Sequence, residues 1–249
     1  MGIDNLAIKQ LRRTYQTKKK EINSRLNEFE KFWSDRDDEE IFTELAFCIL
    51  TPQSKAILCW DTIVKLKEQD LLLKGNVEQI KQALNCVRFK NKKAEYIVGA
   101  RRFFMKQIHC TTIQKTMKII PPIPPLEKGG WGDLQWSKGR VSIKSILSRF
   151  ADIYECREWF VKNIKGLGYK EASHFLRNIG LGEDIAILDR HILKNLHLLG
   201  VIEEIPESIS RVKYMQIEQD MREFARQIHI PISHLDLLLW YKETGEIFK

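Results

Sequence analysis

Lys170 and Asp189 are the residues of this chain best placed, by type and spacing, to do covalent chemistry. Lys170 lies in Lys165-Gly166-Leu167-Gly168-Tyr169-Lys170-Glu171-Ala172, where a Gly-x-Gly turn runs into a helical pattern. Glycines tolerate backbone angles closed to other residues and let the chain approach a ligand closely. The amides that open the next helix then form a ready site for an anion such as a phosphate, helped by the helix dipole. A lysine in that first turn can serve as a phosphate contact. Shielded from water, it can instead lose its proton and attack an electrophilic carbon. The dipole supplies at most ~2 kcal/mol, too little to neutralise an amine with an ordinary pKa of about 10.4, so desolvation must supply the rest. Asp189, in Ile187-Leu188-Asp189-Arg190-His191, arrives nineteen residues later, room enough for one helix, a turn and a return. Aspartate before a helical stretch is a favoured N-cap. In a closed cleft the same carboxylate can stabilise a cationic, oxocarbenium-like sugar or accept the proton of the lysine.

The elements that must position this pair read as helices throughout. Apolar residues recur at helical spacing over 4–31, 39–50, 54–67, 76–85, 91–107, 142–149, 155–164, 169–179, 189–198, 207–228 and 232–242, and no segment alternates at period two. The expected class is all-α: two helical lobes flanking a cleft. Residues 36–182 form the first lobe and 1–35 with 183–249 the second, so that Lys170 and Asp189 face each other across the cleft. The segments 158–165 and 169–179 form a helix-hairpin-helix. One stretch, near 110–140, breaks the pattern. It holds Ile120-Pro121-Pro122-Ile123-Pro124-Pro125 and then Lys128-Gly129-Gly130-Trp131-Gly132, and prolines at this density stop helices. It reads as an insertion between two helices.

With 249 residues, a formal charge of +8 and ordinary apolar content, the chain fits a globular protein with an acidic partner, nucleic acid first. Its apolar runs fall short of the roughly 20 residues needed to span a bilayer, and no secretory leader is apparent, so an intracellular place, in the cytoplasm or on the nucleoid, is expected. The five cysteines are scattered with no Cys-x-x-Cys, which argues against a zinc or iron–sulfur site. Val87-Arg88-Phe89-Lys90-Asn91-Lys92-Lys93 sets an aromatic among cations. The cations suit phosphates, Phe89 suits a wedge between bases, and Arg88 suits a contact to the base opposite a gap.

The Gly-x-Gly-x-Lys hairpin with its trailing aspartate resembles the helix-hairpin-helix superfamily of DNA glycosylases. The patterns over Phe42–Gln53 and Val87–Phe104, and the ending Leu235-Asp236-Leu237-Leu238-Leu239-Trp240-Tyr241-Lys242, resemble more narrowly the archaeal-type 8-oxoguanine DNA glycosylase/AP lyases. The resemblance implies that Lys170 is a Schiff-base nucleophile and Asp189 the catalytic carboxylate, with Gly166 and Gly168 contacting the DNA backbone. It implies that Gln53 fills the space left by an extruded nucleotide, and that Lys249 helps read the lesion. Trp240 is then placed to stack on the flipped base and Asp236 to bind its polar edge. The implied partner is double-stranded DNA bearing 8-oxoguanine or an abasic site, bound by a monomer without metal or cofactor. A glycosylase for another lesion, or a non-catalytic hairpin module, are the alternatives.

Overall fold

The computed structural model describes residues 5–111 and 141–248, and all regular structure among them is helical. In chain order the helices are α1 (Asn5–Asp35), α2 (Asp38–Leu50), α3 (Ala56–Glu68), α4 (Leu71–Lys74), α5 (Val77–Ala83), α6 (Lys90–Thr111), α7 (Lys144–Leu147), α8 (Ile153–Asn163), α9 (Tyr169–Asn178), α10 (Arg190–Leu198), α11 (Arg211–Gln227) and α12 (Ile232–Thr244). Most of the 110–140 insertion, and Lys249, lie outside the described residues. No described helix is long and apolar enough to cross a membrane.

The backbone divides into two units, Asp37–Gly166 and Met1–Arg36 with Leu167–Lys249. The border thus falls at the hairpin turn rather than near 182, and both Lys170 and Asp189 sit in the second of these units. The reason is packing. Helix α9 lies against α1, and the ring of Tyr169, its first residue, meets Tyr214 of α11 at 5.5 Å.

In the Asp37–Gly166 unit, α2 is the centre, and every residue from Ile41 to Leu50 is buried. Asp37 starts it by accepting the amides of Glu39 and Glu40. Helices α3 and α6 pack on it, and α5 packs on α6. The short α4 carries no periodic signal and is absent from the sequence expectation. It is held from outside: buried Arg101 of α6 donates to the carbonyls of Leu71, Leu72 and Gly75 at 3.3, 2.9 and 2.6 Å. Burial lowers that guanidinium's pKa to about 10.

In the other unit, α12 is the centre. Its Leu235, Leu237, Leu238 and Leu239 are all buried, and α1, α10 and α11 surround it. The long α1 contributes Leu11, Tyr15, Ile22 and Phe29 from one stripe. Between α9 and α10 the chain runs through Ile185–Leu188, buried yet outside any helix or sheet.

Candidate active site

The hairpin uses its two glycines differently. Gly166 has φ +91°, and a Cβ there would lie 2.5 Å from the Tyr96 ring, so both backbone angle and space demand glycine. Gly168 has φ −90° and is extended, open to any residue by angle. Its amide donates to the Glu171 carboxylate at 3.1 Å, which satisfies an orphan N–H at the start of α9. Lys170 is the second residue of α9. Its side chain is about one-quarter exposed (24%), and Nζ lies 3.4 Å from Glu171 Oε1.

Asp189 caps α10, its Oδ1 accepting the Ile192 amide at 2.8 Å. The N-cap reading is therefore realised, and it does not exclude chemistry, because a carboxylate offers about four acceptor positions. The group is half-buried. Burial raises its proton affinity; the Ile192 amide, the charge on Lys170, and His191 act in the opposite sense.

What fixes Asp189 is the buried strap before it. A buried backbone with no ladder must find side-chain partners. The Ala186 amide donates to Glu218 Oε1 at 2.8 Å, and the Ala186 carbonyl accepts from the Tyr214 hydroxyl at 2.7 Å. The Leu188 amide donates back to that hydroxyl at 3.3 Å, and the Ile187 amide to Asp236 Oδ1 at 3.4 Å. Tyr214 also touches the Ser173 hydroxyl of α9 at 3.3 Å. One phenol thus joins the helix carrying Lys170 to the strap carrying Asp189.

Asp236, expected at the polar edge of a flipped base, is held inside the protein. It is 4% exposed, and its Oδ2 accepts from Arg177 Nη1 at 2.7 Å. Burial pushes its carboxyl up to about 6, with Arg177 opposing and the nearby Asp189 charge reinforcing. Its geometry is that of a support for the strap. Trp240, one turn further along α12, is half-buried and meets the His191 ring edge-on at 5.1 Å. Glu243 lies beside them, accepting from Lys194 and Asn195 at 2.8 and 3.0 Å. Tyr214, Glu218 and Arg177 escaped the sequence reading because each sits at an ordinary helical position.

The Asp37–Gly166 unit carries Gln53, Arg88 and Phe89, all exposed. Gln53 has φ +53° and Phe89 φ +58°, left-handed angles unusual for such side chains, and Phe89 is 58% exposed. Core packing is thereby excluded for Phe89. Lys93, grouped by sequence with the phosphate-suited cations, instead points inward and is 4% exposed.

An all-helical chain in which a Gly-x-Gly hairpin delivers a lysine near a carboxylate has the make-up of the helix-hairpin-helix DNA glycosylases. The family description "8-oxoguanine DNA glycosylase" matches residues 22–121 and 134–230. The 8-oxoguanine DNA glycosylase/AP lyase of Fusobacterium nucleatum is 42% identical, over 96% of both chains. That of Methanocaldococcus jannaschii is 36% identical over 92% of this chain and 91% of its own. The crystal structure of the Methanocaldococcus jannaschii 8-oxoguanine glycosylase/lyase with a 15mer DNA containing 8-oxoguanine superposes with TM-score 0.77 at 35% identity, covering 98% of this chain and 100% of the other. The Thermotoga maritima 8-oxoguanine DNA glycosylase gives TM-score 0.75 at 28% identity, covering 97% and 98%. The chain belongs to the 8-oxoguanine DNA glycosylase family.

Proposed function

We propose that this protein is a bifunctional 8-oxoguanine DNA glycosylase/AP lyase that works through Lys170 and Asp189. The observation that carries the reading is the lysine in the first turn of the hairpin helix, one-quarter exposed, together with a second carboxylate, Asp189, that caps α10 at the end of a strap held by buried side chains. Basic surface brings in the duplex, and contacts to phosphates supply most of the sequence-independent affinity. The damaged nucleotide leaves the stack at a cost of about a few kcal/mol, while Gln53 and Phe89 fill the void and Arg88 meets the opposite base.

Lysine nitrogen, neutral, then attacks C1′. The C1′–N9 bond breaks and its electron pair leaves with the base, which takes up a proton. Asp189 stabilises the cationic sugar and accepts the proton shed by the nitrogen. Ring opening gives a protonated imine. Loss of a C2′ proton then expels the 3′ phosphate by β-elimination, nicking the strand, and water releases the lysine. These steps balance without a redox partner.

Selection rests on one polar difference. Guanine presents a bare N7 acceptor, whereas 8-oxoguanine presents an N7–H donor. A fixed acceptor rewards the lesion and leaves guanine with a mismatched buried contact. Trp240 is half-buried and supplies a face for stacking; Lys249, expected to help in this reading, lies outside the described residues.

Borohydride reduction tests the assignment, because it converts the imine to a stable amine. The chain should form a covalent adduct with an 8-oxoguanine duplex, and Lys170→Gln should abolish it. Trapping that survives the substitution removes Lys170 from the reaction. No adduct with any lesion duplex from a folded, DNA-binding chain favours the non-catalytic hairpin module.

A further inference from the structure

We infer that Lys93 is a positioning residue that locks two turns, Thr51–Ser54 and Cys86–Phe89, into one rigid device for engaging the duplex. The inference rests on the reading of Gln53, Arg88 and Phe89 as DNA contacts. Lys93 stands in a run of cations, yet it alone among Arg88, Lys90, Lys92 and Lys93 is buried. Its Nζ donates to the Leu50 carbonyl at 2.7 Å, the Pro52 carbonyl at 2.7 Å and the Ser54 hydroxyl at 3.1 Å. An ammonium has three N–H donors, and these three acceptors all belong to the end of α2 and the turn after it. Carbonyls at a helix C-terminus favour a cation.

The Ser54 hydroxyl is the junction. It also accepts the Arg88 amide at 3.1 Å, so the second turn hangs from the group that Lys93 holds. The Ser54 amide closes the first turn onto the Thr51 carbonyl at 3.0 Å, and the Lys93 amide, in the first turn of α6, donates to the Phe89 carbonyl that ends the second at 3.0 Å. Lys93 is therefore bonded to both turns, through its side chain to one and its backbone to the other. Each turn presents one exposed residue in the left-handed region, Gln53 and Phe89. Such angles persist only where the surroundings over-determine them, and the Lys93–Ser54 junction supplies that determination. The two side chains then enter a duplex as a preset pair, with no ordering left to be done on binding.

The test uses full-length chain carrying Lys93→Met, which keeps the apolar stem, and Ser54→Ala, a small change at a half-buried site that breaks the junction while keeping the fold if the first variant does not. Four readouts are compared: single-turnover excision of 8-oxoguanine, fluorescence of 2-aminopurine beside the lesion, affinity for undamaged duplex, and its salt dependence. Both variants should slow excision by roughly tenfold, the worth of one charge-assisted hydrogen bond, and should blunt the fluorescence rise. Affinity for undamaged duplex and its salt slope should match the parent, since a buried lysine touches no phosphate. In Gln53→Ala or Phe89→Ala backgrounds the Lys93→Met penalty should largely vanish, because the element it positions is gone. Parental excision in both Lys93→Met and Ser54→Ala overturns the inference, as does a fully additive penalty. A salt slope reduced by about one would mark Lys93 as a phosphate contact instead and also overturn it. If Gln53→Ala and Phe89→Ala themselves leave excision unchanged, the DNA role of the turns fails first, separately from the junction.

Discussion

Removing a single hydroxyl, in Tyr214→Phe, should loosen the strap that carries Asp189. The substitution keeps the ring, and with it the 5.5 Å contact to Tyr169. It removes the acceptor of the Leu188 amide and the donor to the Ala186 carbonyl, bonds of 3.3 and 2.7 Å in a buried setting. Each buried backbone group left without its partner costs about 1–3 kcal/mol. The longer of the two bonds belongs near the low end, so the loss should be about 2–4 kcal/mol in all. For a chain of this size that lowers the thermal midpoint by roughly 5–15 °C. The kinetic consequence is the sharper one. The strap ends at Asp189, and misplacing a catalytic group by about 1 Å can slow a reaction on the order of a hundredfold. Single-turnover excision of 8-oxoguanine should therefore fall well beyond any change in duplex affinity, measured at a temperature where the variant is fully folded. An unchanged midpoint would show that the strap does not depend on Tyr214. A lowered midpoint with parental excision would show that Asp189 keeps its place without the strap, and would refute the reasoning that couples them.

Gly166→Ala should destabilise the hairpin by about 2 kcal/mol or more, since a new Cβ meets a ring and the φ of +91° is strained for alanine; Gly168→Ala, whose Cβ meets only the flexible end of Glu171 at 3.1 Å, should cost less, and equal melting temperatures would contradict the distinction. Asp189→Asn should leave stability within ~1 kcal/mol, because asparagine caps a helix as well as aspartate does, while slowing base release on the order of a hundredfold or more; a parental rate would reduce Asp189 to a cap. Asp236 binds its proton more tightly in the folded chain, about 6 against an ordinary 3.8, so its contribution to stability falls as pH rises through that window. The loss amounts to about 2 kcal/mol between pH 4 and 7; urea unfolding at a series of pH values should show it in the parent and not in Asp236→Asn, and parallel curves would refute it.

The local signals in the sequence were informative because their physics is local. Gly-x-Gly before an amphipathic run, an aspartate ahead of a helix, and apolar residues at helical spacing all act within a few residues, and α1, α2, α9 and α12 follow from them within a few residues at each end. The supports of the site act at a distance. The strap's partners lie 26 to 49 residues along the chain, and a tyrosine, a glutamate and an arginine on helices carry no mark of the backbone groups they satisfy. The same limit hid α4, whose end carbonyls are held by Arg101 at hydrogen-bond distance in space but 26 to 30 residues away in sequence. It also hid the burial of Lys93, where residue type pointed outward.

The use of a strap rather than a helix or strand before Asp189 has a physical logic. A residue inside a helix points sideways, and its carboxylate competes with neighbouring turns for space. A residue at an N-cap has extended backbone behind it and a helix ahead, so its side chain sits at the positive end of the dipole and accepts an amide that would otherwise lack a partner. Those interactions favour the ionised carboxylate, while burial favours the protonated one, and at Asp189 burial prevails over the Ile192 amide and the Lys170 charge in setting the direction. The cap is thus one side of the balance at Asp189, and the buried side chains of Tyr214, Glu218 and Asp236 hold the backbone on which that balance depends.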